Sequence, residues 1–482
     1  MPDSQSPESG KSRSVQSRSR KSETEQSGIV QSGIVQSGSG KSEAGQPDSP
    51  PVPQRRAFLR GALSAGAAGA AGAVAGVAGG YAYRASRPVP AGQVALENSQ
   101  AGVLPPVPFH GRYQAGILPQ SQRQTAVIAF NATAEGRGEL TELFQTITAR
   151  ARFLTEGGTP PPVGIGGPPS DSGILGPTVV PDGLTVTVGV GSTLFDDRYG
   201  LAGRLPARLT PMLPFPNDDL DPAQSGGDLV VQLSAGNTDA VLHALRDIAR
   251  HTRGGMQVLW RIDGFSSPPR PAGTVPRNML GFMDGIANPD TTDQAEMDSL
   301  VWIQPNTAGE PAWTAGGSYL VVRLIRMFVE FWDRVDITEQ ENMIGRRRPT
   351  GYPLDASSIF ATPDYALDPT GEAIPLNAHI RLANPRTPQT ASSRILRRAY
   401  NYDRGIDQVG DLDIGLVFTC FQQDIKRQFE AVQARLDGLS PVDGESGPEP
   451  LVDYISPFGG GYFLALPGVV DSTDYLGRAL LT

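Results

Sequence analysis

The sequence predicts an α+β protein made of two ferredoxin-like units, a duplicated β-α-β-β-α-β, packed as an α+β sandwich or barrel. Strand and helix periods alternate in that order from 125 to 260, and the stretch from 319 to 465 repeats the order less clearly. With 482 residues, the chain can bury two cores of ordinary domain size besides a polar head. The expected division is 1–53 as a disordered head, 54–85 as an export signal, 106–275 as the first unit and 276–475 as the second.

In the first unit, Thr125-Ala126-Val127-Ile128-Ala129-Phe130 reads as a buried strand. Leu140, Leu143, Phe144, Ile147, Ala151 and Leu154 then recur at helical spacing. Past a Pro/Gly-rich loop, Leu184, Val186, Val188 and Val190 alternate with Thr185, Thr187 and Gly189, the period of a strand with one buried face. Leu229 to Leu233 is the third strand. Asn237 or Thr238 can cap a helix carrying Val241, Leu245, Ile248 and Ala249, and Val258-Leu259-Trp260 completes the unit. In the second unit, Tyr319 to Leu324, Gly415 to Phe421 and Tyr462 to Ala465 read as strands. Helical segments fall around Phe328 to Trp332, Thr338 to Ile344 and Ile425 to Leu436, and one expected strand has no clear place.

The segment 1–53 is rich in Ser, Gln and Gly and almost copies Gln26-Ser27-Gly28-Ile29-Val30 at 31–35; such a composition cannot offset its ordering entropy. Arg55-Arg56-Ala57-Phe58-Leu59 then precedes an uncharged Ala/Gly run to Tyr83, which resembles a twin-arginine (Tat) export signal. The reading implies passage through the Tat translocase to the periplasm or cell exterior, with a retained anchor as the alternative because no small-x-small cleavage site is evident. The net charge of −9 argues against nucleic-acid binding. The single cysteine, Cys420, excludes an intrachain disulfide; its apolar neighbours make it a core residue rather than a thiolate ligand.

Gly281-Phe282-Met283-Asp284-Gly285-Ile286-Ala287-Asn288-Pro289 sets a carboxylate between glycines that permit positive φ and close approach to a ligand. Alone, it reads as an ordinary Asx turn. Downstream lie Ala378-His379-Ile380-Arg381-Leu382-Ala383-Asn384-Pro385-Arg386 and Arg394-Ile395-Leu396-Arg397-Arg398-Ala399-Tyr400-Asn401-Tyr402. With Phe109-His110-Gly111-Arg112-Tyr113-Gln114-Ala115-Gly116-Ile117 and Gly459-Gly460-Gly461-Tyr462-Phe463, these stretches resemble the dye-decolourising peroxidases, and most closely their exported deferrochelatase/peroxidase branch.

That resemblance implies haem b (iron protoporphyrin IX) in the second unit. His379 would be the proximal iron ligand, Asp284 the group that moves a proton between the peroxide oxygens, and Arg397 the fixed cation that stabilises developing charge. It carries Gly285, Ile286, Ala287, Asn384, Pro385 and Arg386 as haem contacts, with Arg386 suited to a propionate. Asp413 is the candidate carboxylate behind His379, with Asp411 equally available. Of the other histidines, His243 reads as solvent-exposed, His251 as a helix C-terminal cation and His110 as compatible with a pocket rim. Tyr113 stands where the family often has His, and Ala399 where it often has Gly, which bears on pocket shape.

The implied activity is hydrogen-peroxide-driven oxidation of dyes, phenols or similar small organic donors through an oxyferryl intermediate. Two alternatives stand beside it: deferrochelatase action, releasing iron from haem with the porphyrin intact as part of an iron-uptake system, and haem carriage without turnover. Surface Tyr or Trp residues would relay electrons from donors too bulky to enter, and a homo-oligomer is expected by resemblance alone.

Overall fold

A computed structural model of the chain describes residues 102–482 apart from 165, 272 and 442–446; the expected head and export signal lie outside the described residues. The strands are β1 (Gln124–Ala132), β2 (Thr185–Gly191), β3 (Leu229–Ala235), β4 (Met256–Phe265), β5 (Ser318–Met327), β6 (Leu396–Arg397), β7 (Tyr400–Ile406), β8 (Leu412–Gln422) and β9 (Ile455–Ala465). The α-helices are α1 (Arg137–Glu156), α2 (Thr238–His251), α3 (Gln294–Leu300), α4 (Val329–Trp332), α5 (Ile337–Ile344), α6 (His379–Ala383), α7 (Ala431–Leu436) and α8 (Arg478–Leu481).

Each half has the antiparallel ferredoxin-like strand order: β2-β3-β1-β4 in the first and β9-β5-β8-β7 in the second. The strand that periodicity did not place is β7. Its inward residues Tyr400 and Tyr402 are buried, but Asp403-Arg404-Gly405-Ile406 run out into solvent, so half the segment carries no apolar signal. Short pairings, Gly189–Gly191 with Phe463–Ala465 and Phe265 with Asn401, join the two sheets edge to edge. The ring closes through β5–β8, which leaves fewer open edges than two stacked sheets would.

Closure explains where the predicted one-faced strand departs from expectation: every residue of β2 is buried. Val186, Val188 and Val190 pack beneath the helices with Ile128, Leu140, Phe144, Val241 and Ile248. Inside the ring, Val127, Ala129, Trp260, Leu320, Val322, Val417 and Phe463 form a second cluster, so alternate positions of one strand feed two different cores. His243, expected in solvent, is buried against the long loop before β2: its Nδ1 lies 2.8 Å from Ser172 Oγ and its Nε2 3.4 Å from Asp171. Asn237 caps α2 by position, but its side chain donates to Asp182 instead.

The outer faces of the two sheets differ. In the first unit the long helices α1 and α2 fill it. In the second, the face made by Arg323, Ile325 and Met327 of β5 with Leu416 and Phe418 of β8 looks into a cavity walled by α6, α7 and the segment 278–287. The predicted helix from Ile425 to Leu436 is there, but begins with a π-helical turn over Lys426–Glu430. Cys420 sits on β8 with 0% exposure and its thiol is pushed up by burial, consistent with a core residue and not with a thiolate ligand.

Candidate active site

The cavity is a concave, mainly apolar site opening to solvent, walled by β5, β8, α6, α7 and the segment 278–287, with a few charged side chains converging on it. On one wall, the chain from Arg277 to Asn288 is folded tightly. Asn278 Oδ1 accepts from the backbone N–H of Leu280 and Phe282 (both 3.1 Å), and Asp284 N–H donates to Pro276 O (2.9 Å). Gly281 and Gly285 take φ of 85° and 93°, the left-handed region the sequence anticipated. A Cβ on Gly281 would also meet the Arg348 guanidinium at 2.7 Å.

This loop delivers Asp284 to Arg397: Arg397 Nη1 lies 3.1 Å from Asp284 Oδ1, and both side chains are partly open to the cavity. Arg397 is held from behind. Asn288 Nδ2 donates to Arg397 O (2.8 Å) and Asn288 Oδ1 accepts from Arg397 N–H (3.2 Å), so one amide clamps the loop to β6. Asn288 stood in the quoted motif without an assigned role. A second cleft, lined by Asn278, Asp284, Gly285, Arg397 and Ala399 among others, meets the cavity at this carboxylate–guanidinium pair. Ala399, the departure noted in the sequence, is therefore part of the wall through which Asp284 is approached.

His379 opens α6 on another part of the wall. Its Nδ1 lies 2.5 Å from Glu449 Oε2, and Glu449 is 3% exposed. Burial pulls the imidazole pKa down, but the adjacent Glu449 carboxylate outweighs it and the net direction is up. With Nδ1 so engaged, Nε2 is the ring nitrogen left for a metal. The carboxylate behind the histidine is thus Glu449 and not Asp413. Asp413 lies on β8, where it accepts from Tyr402 and Arg404; Asp411 is placed in the hairpin turn, its N–H donating to Asp407. Glu449 escaped the sequence reading because it lies 70 positions from His379 in a Pro/Gly-rich loop with no periodicity. Its backbone N–H donates to Leu436 O (2.7 Å), and Arg435 donates to Leu382 O and Ala383 O, so α7 ties loop and histidine helix together.

Gly285, Ile286, Ala287, Asn384 and Arg386 line the cavity, while Pro385 is buried between the last two. Arg386 has φ 58°, a conformation that costs a non-glycine residue on the order of 1–2 kcal/mol. Its buried Nε has no acceptor on the protein. Arg346, also lining the cavity, is pulled down to about 10 by burial, with Arg386 and Arg397 adding repulsion. A buried arginine group with an unused donor calls for an anion, and a haem propionate supplies one. The imidazole with its free Nε2, the Arg386 Nε without an acceptor and the apolar walls of Ile325, Leu416 and Phe418 fit a haem. His110, His243 and His251 lie elsewhere: His110 accepts from Arg152, and His251 Nδ1 lies 2.8 Å from Asp247 O at the end of α2.

Comparison with known proteins agrees. Family models described as Dyp-type peroxidase, N-terminal and C-terminal, match residues 114–266 and 275–470. A protein named deferrochelatase from Escherichia coli O157:H7 is 46% identical over 402 residues, 81% of this chain and 92% of that protein. One of the same name from Yersinia pestis bv. Antiqua (strain Nepal516) is 47% identical over 377 residues, 78% of this chain and 84% of its own. Among solved structures, a DyP-type peroxidase from Cellulomonas bogoriensis superposes with TM-score 0.69 at 35% identity, over 79% of this chain and 99% of its own. Ferric DtpA from Streptomyces lividans gives 0.68 at 33%, over 79% and 98%. With both halves matched in order, and relatives at this identity spanned over most of their length, the chain belongs to the Dyp-type peroxidase family.

Proposed function

We propose that this haem peroxidase works through Asp284 and Arg397 on one side of the cavity and His379, backed by Glu449, on another. The observation that carries the assignment is the 3.1 Å Asp284–Arg397 contact at the cavity wall. Bound haem supplies the redox-active iron. His379 would hold it through Nε2, and the buried Glu449 carboxylate keeps the imidazole oriented and electron-rich. Arg386 would hold a propionate. Asp284 takes a proton from one peroxide oxygen and returns it to the other, so that oxygen departs as water. Arg397 offers its N–H groups where negative charge develops, and cannot itself lose a proton at working pH. Asp284→Asn should lower peroxide-driven turnover about 10²- to 10⁴-fold while leaving haem uptake intact. Unchanged turnover would remove Asp284 from the mechanism.

A second activity, release of iron from haem with the porphyrin intact, is supported by the name that the relatives carry. Incubating the holoprotein with an iron chelator tests it: free-porphyrin fluorescence would appear, and its absence would retire the reading. Haem b is the proposed form of the cofactor, and the Arg55-Arg56 segment supports Tat-dependent export to the periplasm or cell exterior. Lysine substitution of both arginines should leave the protein in the cytoplasm. Self-association and service to an iron-uptake system complete the proposal.

A further inference from the structure

We propose that Asp437 is the acid that protonates the porphyrin when iron leaves it, an inference that rests on the iron-release activity proposed above. Among the described residues, three carboxylates line the cavity: Asp284, Asp437 and Glu449. Asp284 faces the Arg397 guanidinium at 3.1 Å, and Glu449 faces the His379 imidazole at 2.5 Å. Each of these partners favours the charged form of its carboxylate. Asp437 makes no ion pair among the described residues, which leaves it as the one acid on the wall able to hold a proton to give.

Its place follows from α7. The π-helical turn over Lys426–Glu430 runs on into Ala431–Leu436, and Asp437 closes the helix, its backbone N–H donating to Gln433 O (2.9 Å). The carbonyl end of a helix disfavours a negative charge beside it. The side chain is buried: Oδ2 accepts from Gln433 Nε2 (3.1 Å), and Oδ1 has no hydrogen-bond partner. Arg323 is already engaged by Asp218 in a pair whose side chains are both 2% exposed. Burial raises the Asp437 carboxyl to about 6; the carboxylates of Asp218 and Glu449 push the same way, and the Gln433 amide and Arg323 push against it.

The same helix ties Asp437 to the wall that carries His379. Arg435 donates to Leu382 O and Ala383 O of α6, and Leu436 O accepts from the Glu449 N–H. Gln433, Leu436 and Asp437 all line the cavity, so the acid stands beside the guest and not behind another residue. A proton on Oδ1 has no acceptor on the protein, and a buried O–H calls for one. The pyrrole nitrogens of a porphyrin losing its metal are such acceptors.

The step balances without a redox partner. A porphyrin holds iron as a dianion, so release with the macrocycle intact breaks four Fe–N bonds and forms two N–H bonds. Two protons enter, and one iron ion leaves in the oxidation state in which it was bound. Asp437 delivers the protons one at a time and is reloaded from water at the cavity mouth. An oxygen-donor chelator takes the iron.

The test uses the full-length holoprotein with a hydroxamate chelator, reading free-porphyrin fluorescence per bound haem across a pH series. Wild type should release porphyrin in mild acid and slow about tenfold per pH unit once the pH exceeds about 6, as the acid ionises. Asp437→Asn should lower release about 10²-fold in mild acid and flatten the profile, and Asp437→Glu, which keeps the acid, should restore both. A readout independent of turnover is the pH-difference infrared spectrum of the apoprotein, in which Asp437→Asn should lose a protonated-carboxyl band. Wild-type rate and profile in Asp437→Asn, equal loss in both variants, or infrared spectra that coincide would each overturn the role of Asp437 while iron release stands. No porphyrin from the wild type would retire the iron-release reading and this inference with it.

Discussion

Replacing Glu449 by Gln separates the carboxylate that the structure places behind His379 from the one that the sequence suggested. The substitution keeps the size of the side chain and removes the charge that the imidazole faces at 2.5 Å. A hydrogen bond to a charged group contributes about 1.5–3 kcal/mol, and loss of such a partner behind a metal-bound histidine lowers metal affinity about 10- to 100-fold. At about 1.4 kcal/mol per tenfold, the two figures describe the same effect. Titrating apoprotein with haem and following the Soret band should therefore show Kd rising 10- to 100-fold in Glu449→Gln. The iron–imidazole stretch of the reduced holoprotein should also fall in frequency. Asp413→Asn is the matched control: Asp413 is held by Arg404 at 2.8 Å and should leave haem affinity unchanged. Equal affinity in wild type and Glu449→Gln, with a loss in Asp413→Asn, would refute the argument.

Asn288→Ala removes both hydrogen bonds that clamp Arg397 to the Asp284 loop; the rate of reaction with peroxide should fall roughly tenfold or more while haem Kd stays put, as stopped-flow and Soret titration would show. Asp437 lines the cavity at 8% exposure with one oxygen unpartnered, and burial raises its carboxyl to about 6. Protonated in the fold, it contributes stability that is fully present below its unfolded value near 4 and lost as pH rises through about 6. Relative to wild type, Asp437→Asn should thus gain stability between pH 4 and 7, by roughly 2 kcal/mol, in urea melts of the apoprotein.

The sequence by itself determined the elements whose periodicity faces one environment. The stripe of Leu140, Phe144, Ile147 and Ala151 became α1, and the strands at 125–130, 229–233 and 319–324 fell in place, because local burial pattern is written in adjacent residues. Asp284 and the glycines of its loop were legible for the same reason: positive φ is a demand on single residues. Tertiary structure alone decided the rest. Closure of the ring buried both faces of β2, which Thr185 and Thr187 had marked as half exposed. Half of β7 lies in solvent, so its strand character rests on partners and not on hydrophobicity. His243 is buried because a distant loop folds over it. Glu449, far along the chain in an aperiodic loop, reaches His379 only because α7 brings that loop to α6. Contacts of this kind are set by what the folded chain brings together across long separations, and no local pattern encodes them.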